Sequence, residues 1–150
     1  MKFDGNTKVL PPLRAEDDRL ALIEGVKDGT IDCITSDHNP IDIENKKVEF
    51  SNAEYGTIGL ENLFASLQTI LDTETIIDAI TSKPKSIFGL NQTNIEEGKT
   101  ASISLFSDVN SGIFEEKDIL STSKNSIFLN KKVKGQAYGV FSNNQLILNK

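Results

Sequence analysis

The sequence has 150 residues, with 22 acidic and 16 basic side chains, one histidine and one cysteine. This length suits one domain or parts of two. The formal charge of −6 argues against nucleic-acid and membrane partners, because both attract clustered lysine and arginine. No apolar run approaches the roughly 20 residues of a membrane span, so we expect a cytoplasmic protein.

The first ninety residues are predicted to be mainly helical. Acidic residues at 16–18, followed by apolar residues at helical spacing, predict a helix over residues 15–28. Residues 30–35 are typical of a short strand, and the loop after it begins with Ser36 and Asp37. Further helices are predicted over residues 59–71 and 75–82.

Polar segments separate these elements. Residues 39–56 are aperiodic and long, which is typical of functional or mobile loops. The Lys83-Pro84 pair is expected to end the preceding helix. A turn-rich passage over residues 91–100 predicts a domain boundary, with one unit at 1–92 and a second at 93–150.

The second unit is predicted to be antiparallel β structure. Apolar and polar residues alternate over 101–106, and strand-like segments follow at 133–141 and 146–148. The last two flank Asn143 and Asn144, which predicts a hairpin. Residues 121–126 are interpreted as a polar loop.

Asp37 and His38 are the first candidates for chemistry. Barrel enzymes present catalytic groups at the carboxyl ends of strands, where this pair is predicted to lie. The alternative is an Asx-turn in which Asp37 binds nearby backbone amides and His38 is solvated. Cys33 is interpreted as a small core residue, and His38, Cys33 and carboxylates alone fall short of the ligands of a catalytic zinc.

Several blocks, in this order, carry a resemblance to a known family: Pro11-Pro12-Leu13-Arg14, Ser36-Asp37-His38-x-Pro40, Tyr55-Gly56-Thr57-Ile58-Gly59-Leu60-Glu61, Glu97-Gly98-Lys99 and Ser123-Lys124-Asn125-Ser126. Together they resemble the carboxyl-terminal third of a dihydroorotase, a member of the amidohydrolase superfamily. The resemblance implies an α/β fold: the C-terminal portion of a metal-dependent (β/α)₈ barrel plus part of a small antiparallel β-sandwich. It also implies that the remaining N-terminal barrel portion is a partner of this chain.

The family hydrolyses dihydroorotate reversibly to carbamoyl aspartate in de novo pyrimidine biosynthesis. The resemblance implies this small-molecule substrate and a zinc cofactor for the complete family member. The family's paired histidines, bridging carboxylated lysine and further ligand histidines would lie upstream of residue 1. We therefore expect this chain alone to hold no zinc stoichiometrically and to be inactive by itself.

The resemblance assigns Asp37 as a metal ligand and as the catalytic general acid/base. It places Leu10, Ile41, Tyr55 and Gly56 at substrate-binding positions. The family commonly has asparagine where this chain has Leu10 and histidine where it has Ile41, and neither apolar side chain can hydrogen-bond a polar ring. This departure leaves open a non-catalytic scaffold, whose partner would be a second copy of the chain or aspartate carbamoyltransferase.

Overall fold

The computed structural model describes residues 3–91 and 94–149 of the chain. Its α-helices are α1 (Glu16–Lys27), α2 (Ile43–Lys46), α3 (Leu63–Leu67), α4 (Thr73–Ile77) and α5 (Lys83–Ile87). A π-helical segment, Asp78–Ser82, joins α4 to α5, and short 3-10 turns lie at Gly5–Thr7 and Glu116–Asp118. No described helix has both the length and the apolar character needed to cross a bilayer. The predicted domain boundary falls between residues 92 and 93, and both of these residues lie outside the described part of the chain.

Helix α1 lies where the sequence predicts it. Three acidic residues occupy its first turn, and the Asp18 carboxylate accepts a hydrogen bond from the backbone N–H of Ala15 at 3.3 Å. Negative charge at this end interacts favourably with the helix dipole. Val26 is buried, so the prediction over 15–28 is confirmed.

The helical segment after residue 72 continues further than the sequence predicts. The expectation that Pro84 ends it was wrong, because the backbone runs through the π-helical segment into α5. Proline crowds the carbonyl four residues earlier and lacks an N–H. The wider π turn lies just before Pro84, which occupies the first turn of α5, where its missing N–H costs little. Helix α5 ends shortly before Gly89, whose φ of 64° lies in the left-handed region that glycine adopts readily.

Helix α3 is shorter than the predicted range of 59–71. Gly59 and Leu60 donate their backbone N–H groups to the His38 ring instead of leading into a helix. A β-carbon on Gly59 would meet the carbonyl oxygen of Ser36 at 2.7 Å, so only glycine allows this approach. Contacts with the distant residues 36–38 therefore override local helical periodicity here.

The predicted strand over residues 30–35 was also wrong. These residues form no strand, and the only ladder contact near them in the described part of the chain is a single parallel bridge between His38 and Thr57. The backbone N–H of Ile34 donates to the carbonyl of Ala79, in the π-helical segment. A strand requires a neighbouring strand to pair with, and the described residues offer none here.

The carboxyl-terminal half forms a three-stranded antiparallel sheet in the order β1 (Ile103–Ile113), β2 (Lys132–Ser142) and β3 (Gln145–Leu148). Strand β1 extends well beyond the alternating stretch of 101–106, with register shifts on either side of Phe106 and Ser107. The β2–β3 hairpin is confirmed. Asn143 and Asn144 both have positive φ, as a two-residue hairpin turn requires.

Two buried apolar clusters support the molecule. The first packs α1 against the helical segment and comprises Val26, Leu71, Ile76 and Ala79. The second comprises Ile58, Phe114 and Ile119. Because Ile58 belongs to the segment 55–61 and the other two come from the carboxyl-terminal half, the second cluster fixes that segment against residues beyond β1.

Residues 39–56 are more ordered than a polar loop suggests. Helix α2 lies within them, and the Lys46 ammonium is buried and donates to the backbone carbonyls of Lys8, Glu54 and Gly56 at 3.2, 2.8 and 2.8 Å. Burial lowers the pKa of Lys46, and the positive charge of Lys8 lowers it further. A mobile loop would not keep a lysine buried with three hydrogen bonds to backbone carbonyls, so the alternative of a mobile loop is not supported.

Replacing Lys46 with methionine should destabilise the chain by about 1–3 kcal/mol, because three carbonyls lose the hydrogen bond from the ammonium while the apolar stem is kept. The measurement is the thermal or urea unfolding midpoint. Lys47→Met, at the exposed neighbouring position, is the matched control and should have little effect. An unfolding midpoint for Lys46→Met at or above that of the parent would show that relief of the buried charge outweighs the lost hydrogen bonds.

Candidate functional site

A cavity of about 250 Å³ lies where residues 9–10, 37–39 and 55–57 meet. Its lining residues are Val9, Leu10, Asp37, Asn39, Tyr55, Gly56 and Thr57. The structure thus brings Asp37 together with Leu10, Tyr55 and Gly56. Ile41 does not line the cavity and lies behind Gly56, where a β-carbon on that glycine would meet Ile41 Cγ1 at 3.0 Å.

Asp37 is exposed and has a φ of 43°, in the left-handed region that aspartate tolerates better than most residues. Within the described ranges, no hydrogen bond to its carboxylate is present, so the Asx-turn alternative is not supported. The residues on either side of it are held, because Ser36 packs against Gly59 and His38 is hydrogen-bonded. The backbone is therefore fixed while the carboxylate remains available.

His38 is a structural part of the site and is not solvated. Its Nδ1 accepts hydrogen bonds from the backbone N–H groups of Gly59 and Leu60, each at 3.2 Å. An Nδ1 with two donors carries no proton, which assigns the proton of the neutral ring to Nε2. Nε2 lies 3.4 Å from Ser121 Oγ and can donate to it.

Glu61 completes this polar chain. Its Oε1 accepts hydrogen bonds from the backbone N–H and the hydroxyl of Ser121. Burial raises the pKa of Glu61, but its hydrogen bonds, chiefly those from Ser121, outweigh it, so the pKa lies below its ordinary value of 4.5. The stability that these bonds contribute is present above pH 4.5 and is lost as the pH falls through the lowered pKa.

The wall formed by Asn39 and Gly56 depends on close approach. Gly56 has a φ of 145°, and a β-carbon there would meet Asn39 Nδ2 at 2.6 Å. The Asn39 amide donates to the carbonyl of Tyr55 at 3.1 Å, and its backbone N–H donates to the carbonyl of Thr57 at 2.9 Å. Glycine at 56 therefore lets two cavity-lining segments lie side by side.

Tyr55 and Leu10 give the cavity its apolar surface. Both are exposed, and the Lys8 ammonium lies 4.9 Å from the centroid of the Tyr55 ring. This ammonium also donates to the carbonyl of Ser51 at 2.7 Å. Tyr55 thus has one positive charge close to its aromatic face, while the Leu10 side chain supplies no hydrogen-bonding group.

The described residues do not fit a complete metal centre. No group of three histidine, cysteine, aspartate or glutamate side chains lies close enough to share an ion within residues 3–91 and 94–149. His38 is unsuited as a ligand because Nδ1 is occupied by backbone donors and Nε2 faces Ser121. Asp37 is the one carboxylate that lines the cavity among residues 3–91 and 94–149, so a zinc ion there would need further ligands beyond those residues.

We expect the purified chain to retain far less than one zinc ion per molecule after dialysis, because Asp37 alone cannot complete a site. Metal analysis of the dialysed chain measures this directly. Asp37→Asn is the paired variant, and it should give the same low value. One or two tightly held zinc ions per chain, lost in Asp37→Asn, would contradict the prediction.

Comparison with known proteins decides the family. No protein-family model matches the chain. The chain is 38% identical to a dihydroorotase from Caldicellulosiruptor saccharolyticus and 35% identical to one from Elusimicrobium minutum, each match covering 97% of the chain. It spans only 35% of the length of either relative. The chain matches the carboxyl-terminal third of the dihydroorotases.

Solved structures show the same fold. The L-hydantoinase of Arthrobacter aurescens matches 99% of this dihydroorotase-like chain with a TM-score of 0.84 at 21% identity, covering 35% of its own length. A D-hydantoinase from a Thermus species gives 0.83 at 22% identity over 97% of the chain. The inactive dihydroorotase-like domain of a Chaetomium thermophilum CAD-like multifunctional protein gives 0.56 at 18% identity. The predicted fold class, the C-terminal portion of an amidohydrolase barrel with an antiparallel sheet, is confirmed.

Sequence reasoning missed several residues that hold the site together. Ser121 and Asn125 lie in the segment that was interpreted as a polar loop, and both contact residues next to the cavity. Asn125 also belongs to a block that carried the family resemblance, whereas Ser121 does not. Lys46 lies in the segment interpreted as a loop of functional or mobile character. Glu61 belongs to a block that carried the family resemblance, and this was the only signal that pointed to it.

Proposed function

We propose that this chain supplies the general acid/base and one wall of the active site of a dihydroorotase-like cyclic amidohydrolase. The reaction is the reversible hydrolysis of dihydroorotate to carbamoyl aspartate, in de novo pyrimidine biosynthesis. The observation that carries the proposal is the cavity in which Asp37 meets Leu10, Tyr55 and Gly56. The remaining part of the barrel is supplied by the N-terminal portion that the relatives possess, and the chain alone is inactive.

Asp37 suits proton transfer. Opening a cyclic amide requires that a proton leave the attacking water and that a proton reach the ring nitrogen as the carbon–nitrogen bond breaks. An exposed carboxylate without an internal hydrogen-bond partner in the described residues can accept the first proton and donate it to the nitrogen. The ligands of the zinc that the family implies would come largely from outside this chain.

The polar chain of His38, Ser121 and Glu61 has a supporting role in this proposal. It fixes the residue after Asp37 to the turn at Gly59 and Leu60. A catalytic group must be held to within a fraction of an ångström of its productive position. The fixed backbone around Asp37 supplies that rigidity.

The proposal is tested by joining this chain, in full, to the first two thirds of the Caldicellulosiruptor dihydroorotase in place of that enzyme's own carboxyl-terminal third. We call this protein the fusion. Dihydroorotate hydrolysis by the fusion, with none by the chain alone, supports the proposal. A folded fusion, shown by circular dichroism and a cooperative melt, that neither hydrolyses nor binds dihydroorotate would contradict it.

The second candidate is a non-catalytic scaffold. Leu10 favours it, because this side chain lines the cavity and is 63% exposed there without any group that could bind a polar ring. The partner would be aspartate carbamoyltransferase or a second copy of the chain. Co-purification of a folded, inactive fusion with aspartate carbamoyltransferase, or its dimerisation, would favour this candidate.

A further inference from the structure

Asn125 is buried, with 2% of its surface exposed, and its side-chain amide makes contacts with two separate segments. Its Oδ1 accepts from the backbone N–H of Ile41 at 3.1 Å. Its Nδ2 donates to the backbone carbonyl of Asn39 at 3.1 Å and lies 3.4 Å from that of Gly56. One side chain from the carboxyl-terminal half therefore joins residues 39–41 to residue 56.

The backbone of the same region adds further contacts. The carbonyl of Asn125 accepts from the N–H of Ile58 at 3.0 Å and from Thr57 Oγ1 at 3.2 Å. The N–H of Ile127 donates to Thr57 Oγ1 at 3.2 Å. Backbone groups of residues 125 and 127 thus hold residues 57–58, whereas the Asn125 side chain holds residues 39–41.

These contacts lie directly behind the cavity. Asn39, Gly56 and Thr57 line it, and Ile41 packs against Gly56. The two lining segments are joined directly by the bonds of Asn39 to Tyr55 and Thr57, and the side chain of Asn125 adds a second link that also holds Ile41. The amide supplies an acceptor for Ile41 and a donor for Asn39 at once, whereas a carboxylate of the same shape cannot donate.

We propose that Asn125 is a positioning residue that sets the shape of the substrate-binding wall formed by residues 39–41 and 55–57. The inference rests on the proposed function and deepens it. It predicts an effect on substrate binding that is separate from proton transfer, because Asn125 contacts neither Asp37 nor the His38 ring in the described hydrogen bonds.

The kinetic test uses the fusion with Asn125→Ala and Asn125→Asp. Losing these hydrogen bonds should raise the KM for dihydroorotate about threefold to tenfold or more, with kcat within about twofold of the parent. Asn110→Asp is the matched control, because Asn110 is exposed and its amide donates to the Tyr138 hydroxyl on the sheet. An unchanged KM, or a fall in kcat equal to the change in KM, would overturn the inference.

Backbone hydrogen exchange in the 150-residue chain separates this inference from the proposed function. In Asn125→Ala the Ile41 amide should exchange faster because it loses its acceptor, whereas the Ile58 amide should not, because its acceptor is a backbone carbonyl. Unchanged exchange at Ile41, or equal acceleration at both amides, would overturn the inference even in an active fusion. A fusion without turnover or binding would contradict the proposed function, and the wall would then have no substrate to fit.

Discussion

Replacing Asp37 with asparagine in the fusion should lower turnover of dihydroorotate by about 10²–10⁴-fold, the contribution typical of general acid/base catalysis. Asparagine keeps the size of the side chain and tolerates the left-handed backbone conformation of residue 37. It removes the negative charge and the oxygen that accepts the proton. The KM should change much less than kcat, because the lost step is proton transfer.

Asp32→Asn is the matched control for this experiment. Asp32 is also exposed, lies five residues before Asp37 and does not line the cavity. Both variants should melt within a few degrees of the parent. Turnover by Asp37→Asn within a few-fold of the parent would remove Asp37 from the catalytic machinery.

Elements whose sequence pattern lies within a few neighbouring residues were predictable. Helix α1 has acidic residues in its first turn and an apolar stripe, and both signals act within a few residues. The β2–β3 hairpin follows from two asparagines between strand-like segments. The family blocks also placed Asp37 beside residues that are distant in sequence, such as Leu10 and Tyr55.

Elements that depend on distant partners were not predictable from local pattern. Residues 30–35 have strand-like composition, yet an extended segment becomes a strand only when another strand pairs with it. The start of the predicted helix at 59 is used instead to bind the His38 ring. The helical segment continues through Pro84 because a π turn precedes it, and no pattern of residues predicts that turn.

The polar framework of the site was the hardest part to anticipate. Asn125, Ser121 and Lys46 lie in segments whose composition is typical of solvated loops. Asn125 and Lys46 are buried beside backbone carbonyls, and Ser121 contacts the Glu61 and His38 side chains, and these placements are properties of the tertiary structure. A polar residue in a loop-like segment gives no sign in sequence of whether it faces water or the interior.

Restoring the family's polar residues at positions 10 and 41 should strengthen substrate binding by the fusion. Each regained charge-assisted hydrogen bond contributes about 1.5–3 kcal/mol, which corresponds to roughly a tenfold to 150-fold lower KM. We expect Leu10→Asn to have the larger effect, because Leu10 lines the cavity whereas Ile41 lies behind Gly56. The histidine side chain in Ile41→His would have to extend past Gly56 to contact a substrate.

Two apolar substitutions separate hydrogen bonding from simple changes in size. Leu10→Ala removes bulk from the cavity without adding a polar group, and Ile41→Phe adds a ring that cannot hydrogen-bond. If the gain comes from hydrogen bonds, only Leu10→Asn and Ile41→His should lower the KM, and their combination should exceed either alone. Equal gains from Leu10→Ala and Leu10→Asn would show that Leu10 acts as a steric block. The scaffold would be favoured if none of the four substitutions improved the fusion and if the fusion were as inactive as its Asp37→Asn variant. The apolar wall would then not be what limits turnover.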